Sequence, residues 1–160
     1  MLSKIKFITV GNLKEPYLRD AMEEYAKRLS GFCKVEQVNI RESKLPDDPS
    51  DTEINFALNA EAKMILDALP PRAYGVALCV EGKQFSSPEL AALLDSAAGE
   101  WGEICFIIGS SHGLAESVKS ACKLRLSFSK LTFPHQLMRV VLYEAVYRCA
   151  TIIKGTKYHK

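Results

Sequence analysis

Two loops in the C-terminal half of the chain carry residue types that suit a small-molecule site. The first is the run Gly-Ser-Ser-His-Gly at 109–113, which directly follows an apolar stretch at 103–108. Glycines at the end of a buried strand allow backbone N–H groups to approach a ligand closely. The second loop, residues 126–135, mixes hydroxyl groups, one lysine and two phenylalanines. We therefore expect the two loops to form the walls of one pocket for a partly apolar, partly polar ligand.

The glycine loop matches neither standard nucleotide fingerprint. Ser111 and Leu114 stand where G-x-G-x-x-G requires glycine, and no Gly-Lys-Ser/Thr follows as in a Walker A loop. The three histidines of the chain do not single out a nucleophile–histidine pair. Taken alone, the glycine-containing pattern at 109–113 is explained nearly as well by a tight structural turn as by a ligand-binding loop.

The elements that must position these loops alternate between strand and helix. Apolar and β-branched runs predict strands over 4–10, 34–40, 74–80, 103–108 and 123–127. Apolar residues at helical spacing predict helices over 16–29, 51–69 and 87–98, a short one ending near 122, and a long one after Pro134. Residues 81–83 are predicted to form a turn, and Ser87 to cap the third helix. This alternation predicts one α/β domain, residues 1–160, with a mostly parallel sheet of about five strands.

The net charge of +2 hides a difference between the two ends of the chain. Residues 1–116 carry 12 Lys/Arg against 18 Asp/Glu, whereas residues 117–160 carry 9 Lys/Arg against Glu144 alone. Such asymmetry hints at contact with nucleic acid or another polyanion. A solvated basic helix face explains it equally well.

Cysteine usage and hydropathy limit the class of protein. None of the five cysteines stands at C-x-x-C spacing or near a histidine, so we expect free thiols and no metal site. No run approaches the roughly 20 apolar residues of a membrane span, and the N-terminus lacks a signal-peptide pattern. A cytoplasmic protein is the default expectation.

The last helix and the tail hold the remaining polar candidates. Arg139 and Tyr143 fall on a different helix face from the apolar stripe that begins at Met138. Glu144 and Arg148 are four residues apart, which predicts a surface ion pair. The tail 154–160 is basic and ends in Tyr-His-Lys.

Residues 108–114, the long segment 126–148 and the Tyr-His-Lys ending resemble the ribosomal RNA large-subunit methyltransferase H family. The resemblance extends over the whole chain. It implies a SPOUT-class α/β fold with a C-terminal trefoil knot, whose knot and cofactor loops lie within about 74–155, and a homodimer. It also implies N3-methylation of a pseudouridine in bacterial 23S ribosomal RNA, with the assembled ribosome as the expected target and S-adenosylmethionine as donor.

The resemblance assigns the methyl donor to the two loops and to the end of the third strand. By position, the implied contacts are Leu78, Gly109, Phe128, Ser129, Lys130, Leu131, Thr132 and Phe133. Ser110 stands where many relatives are expected to carry a second glycine, and it is tolerated there only if its φ is negative.

The chemistry of the expected reaction suggests catalytic and RNA-binding candidates. His135 and His159 are candidate bases because imidazole titrates near neutrality, and Arg139 is a third catalytic candidate. Phosphate pairing and base stacking make Arg139, Tyr143, Lys157, Tyr158 and His159 candidates for binding RNA. In a dimer, the tail of one subunit could complete the pocket of the other.

Two other functions stay open from the residues alone. A nucleotide-binding regulatory module would bind the same ligand without transferring a group. A plain RNA-binding protein would use the basic C-terminal part and bind in a salt-dependent way.

Overall fold

A sheet of five parallel strands forms the middle layer of the computed structural model, which describes residues 1–160. The strands are β1 (Lys4–Val10), β2 (Lys34–Ile40), β3 (Tyr74–Lys83), β4 (Glu103–Ile108) and β5 (Leu124–Leu126). The helices are α1 (Pro16–Ser30), α2 (Asp51–Ala68), α3 (Ser87–Trp101), α4 (Glu116–Ala121) and α5 (His135–Lys154). The expected α/β domain with a parallel sheet of about five strands is confirmed.

The strand order creates a topological switch point between β1 and β4. The sheet runs β2-β1-β4-β3-β5, and every pair is parallel. From β1 the chain crosses towards the β2 edge, whereas from β4 it crosses towards the β5 edge. Ligands of open α/β sheets bind beyond the carboxyl ends of the strands at such a switch point.

Helices cover both faces of the sheet. α1, α3 and α5 pack together on one face, over a core that includes Phe7 and Phe106, and α2 and α4 cover the other face around Ile107. Strands buried on both sides are expected to be almost wholly apolar. The β4 sequence, in which five of six residues are buried, meets that expectation.

The polar residues of α5 face inward. The Tyr143 ring stacks on Phe7 with 3.9 Å between ring centroids, and its hydroxyl donates to Gln37 Oε1 at 2.8 Å. The Arg139 guanidinium donates to the carbonyls of Val10 and Gly11 at 2.9 and 3.0 Å. These two α5 side chains are only 1% and 3% exposed. Neither side chain therefore presents surface to RNA within the folded chain, because α5 packs against α1 and α3 as well as against the sheet. Their contact with RNA stays a prediction.

The largest differences between predicted and observed boundaries lie at the end of β3 and at the two ends of α3. Residues 81–83 continue β3 instead of turning, and a Cβ on Gly82 would come within 2.7 Å of the Arg125 backbone. Glycine is needed there because β3 and β5 approach so closely. Helix α3 is capped by Ser86, whose hydroxyl accepts from the Glu89 N–H, and it ends at Gly102 with a positive φ.

Three further expectations concern the cysteines, membrane-spanning helices and the knot. All five cysteines are free thiols, and none of the helices combines the length and apolarity that crossing a membrane requires. The close passage of β3 and β5 agrees with a threaded chain. The trefoil knot stays a prediction.

Candidate active site: two adjoining cavities at the carboxyl edge of the sheet

The two predicted loops do form one cavity, of about 350 Å³, at the carboxyl ends of β3, β4 and β5. We call it the apolar cavity, because leucine, phenylalanine and methionine side chains make up much of its wall. Seven of the eight proposed donor contacts line it: Leu78, Gly109, Phe128, Ser129, Leu131, Thr132 and Phe133. The eighth, Lys130, is exposed and is not part of the wall.

The glycine loop is closed by its own backbone. The Gly113 N–H donates to the Ser110 carbonyl at 2.9 Å, and a Cβ on Gly109 would lie 2.2 Å from the Gly113 carbonyl oxygen. No side chain fits at Gly109 without opening the loop. No residue other than glycine has a positive φ, so Ser110 meets the condition under which serine is tolerated there.

The second loop is held by its serines. The Ser127 hydroxyl donates to the Ser129 carbonyl at 3.1 Å, and the Ser129 hydroxyl accepts from the Leu131 N–H at 3.0 Å. These bonds turn the backbone of residues 127–131 around the cavity. Polar groups of the loop are thereby available to the edge of a bound ring, and apolar side chains to its faces.

Sequence reasoning missed part of the wall of the apolar cavity. Glu81 and Lys119 line it and form an ion pair at 2.5 Å, and the Lys119 ammonium holds the pKa of the Glu81 carboxyl below its usual value. Met138 of α5 also lines it. Glu81 was missed because β3 was predicted to end at residue 80. In the structure β3 continues to Lys83 and so carries Glu81 to the cavity.

A second cavity, of about 540 Å³, lies at the carboxyl ends of β1 and β2. Ile40 is the one apolar side chain in its wall, so we call it the polar cavity. Its polar side chains are Asn12, Lys14, Asn39, Arg41, Glu42 and Gln136, together with Ser111 and His135. Sequence reasoning did not predict it, because its residues come from four separate segments of the chain.

His135 lies where the two cavities meet. It is the first residue of α5 and lines both cavities, as does Ser111. Partial burial lowers the pKa of its imidazole, with Arg139 and Lys14 acting in the same direction and Glu42 opposing them. A histidine with a lowered pKa is neutral at neutral pH and can accept a proton.

The C-terminal tail packs on the outer side of α5. Arg148 pairs with Glu144 at 2.5 Å, which confirms the predicted ion pair, and the Tyr158 hydroxyl donates to Glu144 at 3.1 Å. The Arg148 guanidinium also lies over the Tyr158 ring at 4.9 Å and contacts His159 Nδ1 at 3.3 Å.

This docking keeps the tail away from both cavities within one chain. Arg148 follows His135 by 13 residues, which is about 20 Å along a helix axis. The structure therefore brings His135 to the cavities but not Tyr158 or His159. Lys157 is exposed on the same tail.

Comparison with solved structures shows the same fold. A probable methyltransferase from Bordetella pertussis Tohama I aligns with a TM-score of 0.57 at 16% identity, covering 92% of this chain and 95% of that one. A tRNA (m1G37) methyltransferase from Aquifex aeolicus aligns with a TM-score of 0.57 at 15% identity, covering 99% of this chain and 74% of that one.

Sequence comparison is more specific. The family model described as "Predicted SPOUT methyltransferase" matches residues 3–159. Ribosomal RNA large subunit methyltransferase H of Streptococcus sanguinis is 46% identical over 98% of this chain and 99% of its own length. The protein of the same name from Caldicellulosiruptor saccharolyticus is 47% identical with the same coverage. The chain therefore belongs to the SPOUT methyltransferases and, within them, to the ribosomal RNA large subunit methyltransferase H family.

Proposed function

We propose that this protein transfers a methyl group from S-adenosylmethionine to N3 of a pseudouridine in 23S ribosomal RNA, with the ribosome as substrate. The names of its relatives support the reaction class. The observation that carries the proposal is the shared wall of the two cavities, where a neutral imidazole stands between a site for a donor and a site for an acceptor.

The apolar cavity fits the proposed donor. Its volume of about 350 Å³ lies within the usual range for small-ligand pockets. Phe128, Leu131 and Phe133 offer apolar surface to a purine ring, Ser129 and Thr132 offer hydroxyls, and Gly109 allows close backbone approach. When bound, S-adenosylmethionine supplies an electrophilic methyl group on a positively charged sulfur.

The main task of the chain is alignment and proton removal. The acceptor nitrogen must stand in line with the methyl carbon and the sulfur, and holding reactants in that geometry accounts for much of such catalysis. Gly109, Ser129 and Thr132 would hold the donor in the apolar cavity, and the donor would supply the methyl group, its sulfur keeping the electron pair of the broken C–S bond as the new N–C bond forms. The N3 proton passes to the neutral imidazole of His135, which acts as the general base.

The contacts of His159 favour a different role for it. An arginine N–H can only donate, so Arg148 occupies the Nδ1 lone pair of His159 and leaves the ring hydrogen on Nε2. In that tautomer His159 presents a hydrogen-bond donor. We assign it, with Tyr158 and Lys157, to binding RNA, and His135 to proton removal.

A homodimer would bring the tail to a cavity. Leu131 is 72% exposed and Leu137 is 41% exposed beside the apolar cavity and the start of α5, which leaves apolar surface for a second copy. A tail that lies about 20 Å from its own cavity would then serve the cavity of the partner. The dimer is part of the proposal.

Transfer of labelled methyl from S-adenosylmethionine tests the function. Ribosomes that lack the modification and free 23S ribosomal RNA are compared as acceptors, and mass spectrometry locates the methyl group. Label at N3 of a pseudouridine is expected, with ribosomes the better acceptor. Donor binding without label on either acceptor would contradict the proposal and favour a regulatory module.

A further inference from the structure

The position of the polar cavity suits an acceptor. It adjoins the apolar cavity through Ser111 and His135 and lies beyond the carboxyl ends of β1 and β2. The divergence of the connections after β1 and β4 opens a crevice at this edge of the sheet. A methyl acceptor must meet its donor at the group that takes the proton, and the two cavities meet at His135.

Two amide side chains offer a matched donor and acceptor in this cavity. The Asn39 Nδ2–H donates to Asn12 Oδ1 across the ends of β2 and β1. This bond leaves the Asn12 Nδ2 hydrogens and the Asn39 Oδ1 available to a ligand. A pyrimidinedione ring carries carbonyl oxygens beside ring N–H groups, so one donor next to one acceptor complements its edge.

Two cations accompany the amides. Lys14 and Arg41 line the cavity and are exposed to solvent, whereas Glu42 is its one carboxylate. Lysine and arginine at the edge of a polar pocket suit the phosphates that flank a base in RNA. The cavity therefore offers groups for both parts of a nucleotide.

The cavity is held in shape from both sides. Gly11 has a φ of 82°, a Cβ there would meet Glu42 Oε2 at 2.8 Å, and buried Arg139 donates to the Gly11 carbonyl. On the other side, the Ser43 N–H donates to the carboxylate of Glu61, which is 3% exposed. These contacts fix the segments on either side of Arg41 and Glu42, so the site is largely preformed.

We propose that the polar cavity is the acceptor subsite and binds a pyrimidine nucleotide of RNA. Asn12 and Asn39 contact the edge of the base, and Lys14 and Arg41 contact its phosphates. The inference rests on the methyltransferase function proposed above and adds the place where the acceptor is held. It assigns an RNA contact to the acidic N-terminal part of the chain.

Two variants of the full-length protein test this assignment, with Lys44→Ala as the matched control. Lys44 is an exposed cation three residues after Arg41 and does not line the cavity. We expect Arg41→Ala and Asn39→Ala each to raise the KM for ribosomes about tenfold. The Kd for S-adenosylmethionine, measured by calorimetry without RNA, should not change.

Salt dependence separates the two kinds of contact. Log affinity falls as log salt concentration rises. For Arg41→Ala, loss of a phosphate contact should make this slope less steep by about one. Loss of a base contact should leave that slope unchanged for Asn39→Ala. Circular dichroism checks that both variants are folded.

Other outcomes would overturn the assignment. If wild-type protein transfers methyl and both variants match Lys44→Ala, the cavity does not hold the acceptor. If the donor Kd rises while the KM for ribosomes stays constant, the cavity belongs to the donor. If wild-type protein transfers nothing, the proposed function falls, and equilibrium binding of 23S ribosomal RNA to the same variants decides the subsite by itself.

Discussion

The two cavities differ in what shapes them. The apolar cavity is built chiefly from two continuous loops. Backbone fixes its form, because Gly109 in its wall, and Gly82 where β3 passes β5 next to it, have no room for a side chain. The polar cavity is built from side chains on separate segments, several of them exposed. Substitutions in the apolar cavity should therefore act by displacing the backbone. Substitutions in the polar cavity should act by removing individual side-chain contacts.

His135 should give the largest effect, because it serves both cavities. We expect His135→Gln to lower kcat by about 10²- to 10⁴-fold, the usual contribution of a general base. The Kd for S-adenosylmethionine should stay within a few-fold, which separates proton removal from donor binding. An unchanged kcat would exclude His135 as the base.

The pH profile sharpens this assignment. The base acts in its neutral form, and burial holds the pKa of His135 below its ordinary value of 6.5 despite nearby Glu42. Wild-type kcat/KM should therefore already be high at pH 6.5 and fall as the pH is lowered through the His135 pKa. The His135→Gln variant should lose this acidic limb.

A side chain at Gly109 should act on the donor cavity alone. Its Cβ would lie 2.2 Å from the Gly113 carbonyl, and relieving such a clash typically costs about 1–3 kcal/mol. We expect Gly109→Ala to weaken S-adenosylmethionine binding by about 10- to 100-fold. Gly99→Ala is the control, because nothing lies within 4 Å of its Cβ in α3. Equal donor affinity in both variants would contradict the placement of the donor.

Mixed dimers test whether the tail works in the partner's cavity. Gly109→Ala impairs the cavity, and we expect His159→Ala to impair the tail. Random mixing of the two chains should restore about a quarter of wild-type activity, because half the dimers then hold one site with an intact cavity and an intact tail. Activity that stays at the level of the separate variants would show that the tail does not act across a dimer.

The smallest expected effect concerns Tyr143, which the structure buries. Tyr143→Phe removes the hydroxyl that donates to Gln37 and should lower the free energy of unfolding by about 1 kcal/mol. The KM for ribosomes should not change. Tyr17→Phe, at a 68% exposed position, should leave both quantities unchanged. A KM effect at Tyr143 without a loss of stability would restore its assignment to RNA.

The sequence by itself determined the alternation of strands and helices, the parallel sheet and the pocket formed by residues 109–113 and 126–135. These features depend on local periodicity and on loops that follow their strands directly, so they can be inferred from neighbouring residues.

Only the tertiary structure decided which distant segments meet. The order β2-β1-β4-β3-β5 brings Asn12 and Asn39 to the side of His135 and creates the polar cavity. The packing of α5 between α1, α3 and the sheet turns Arg139 and Tyr143 inward, and the tail docks on Arg148. Helical spacing shows which residues share a face but not how many faces a neighbour will cover, because burial is set by contacts between elements far apart in the chain.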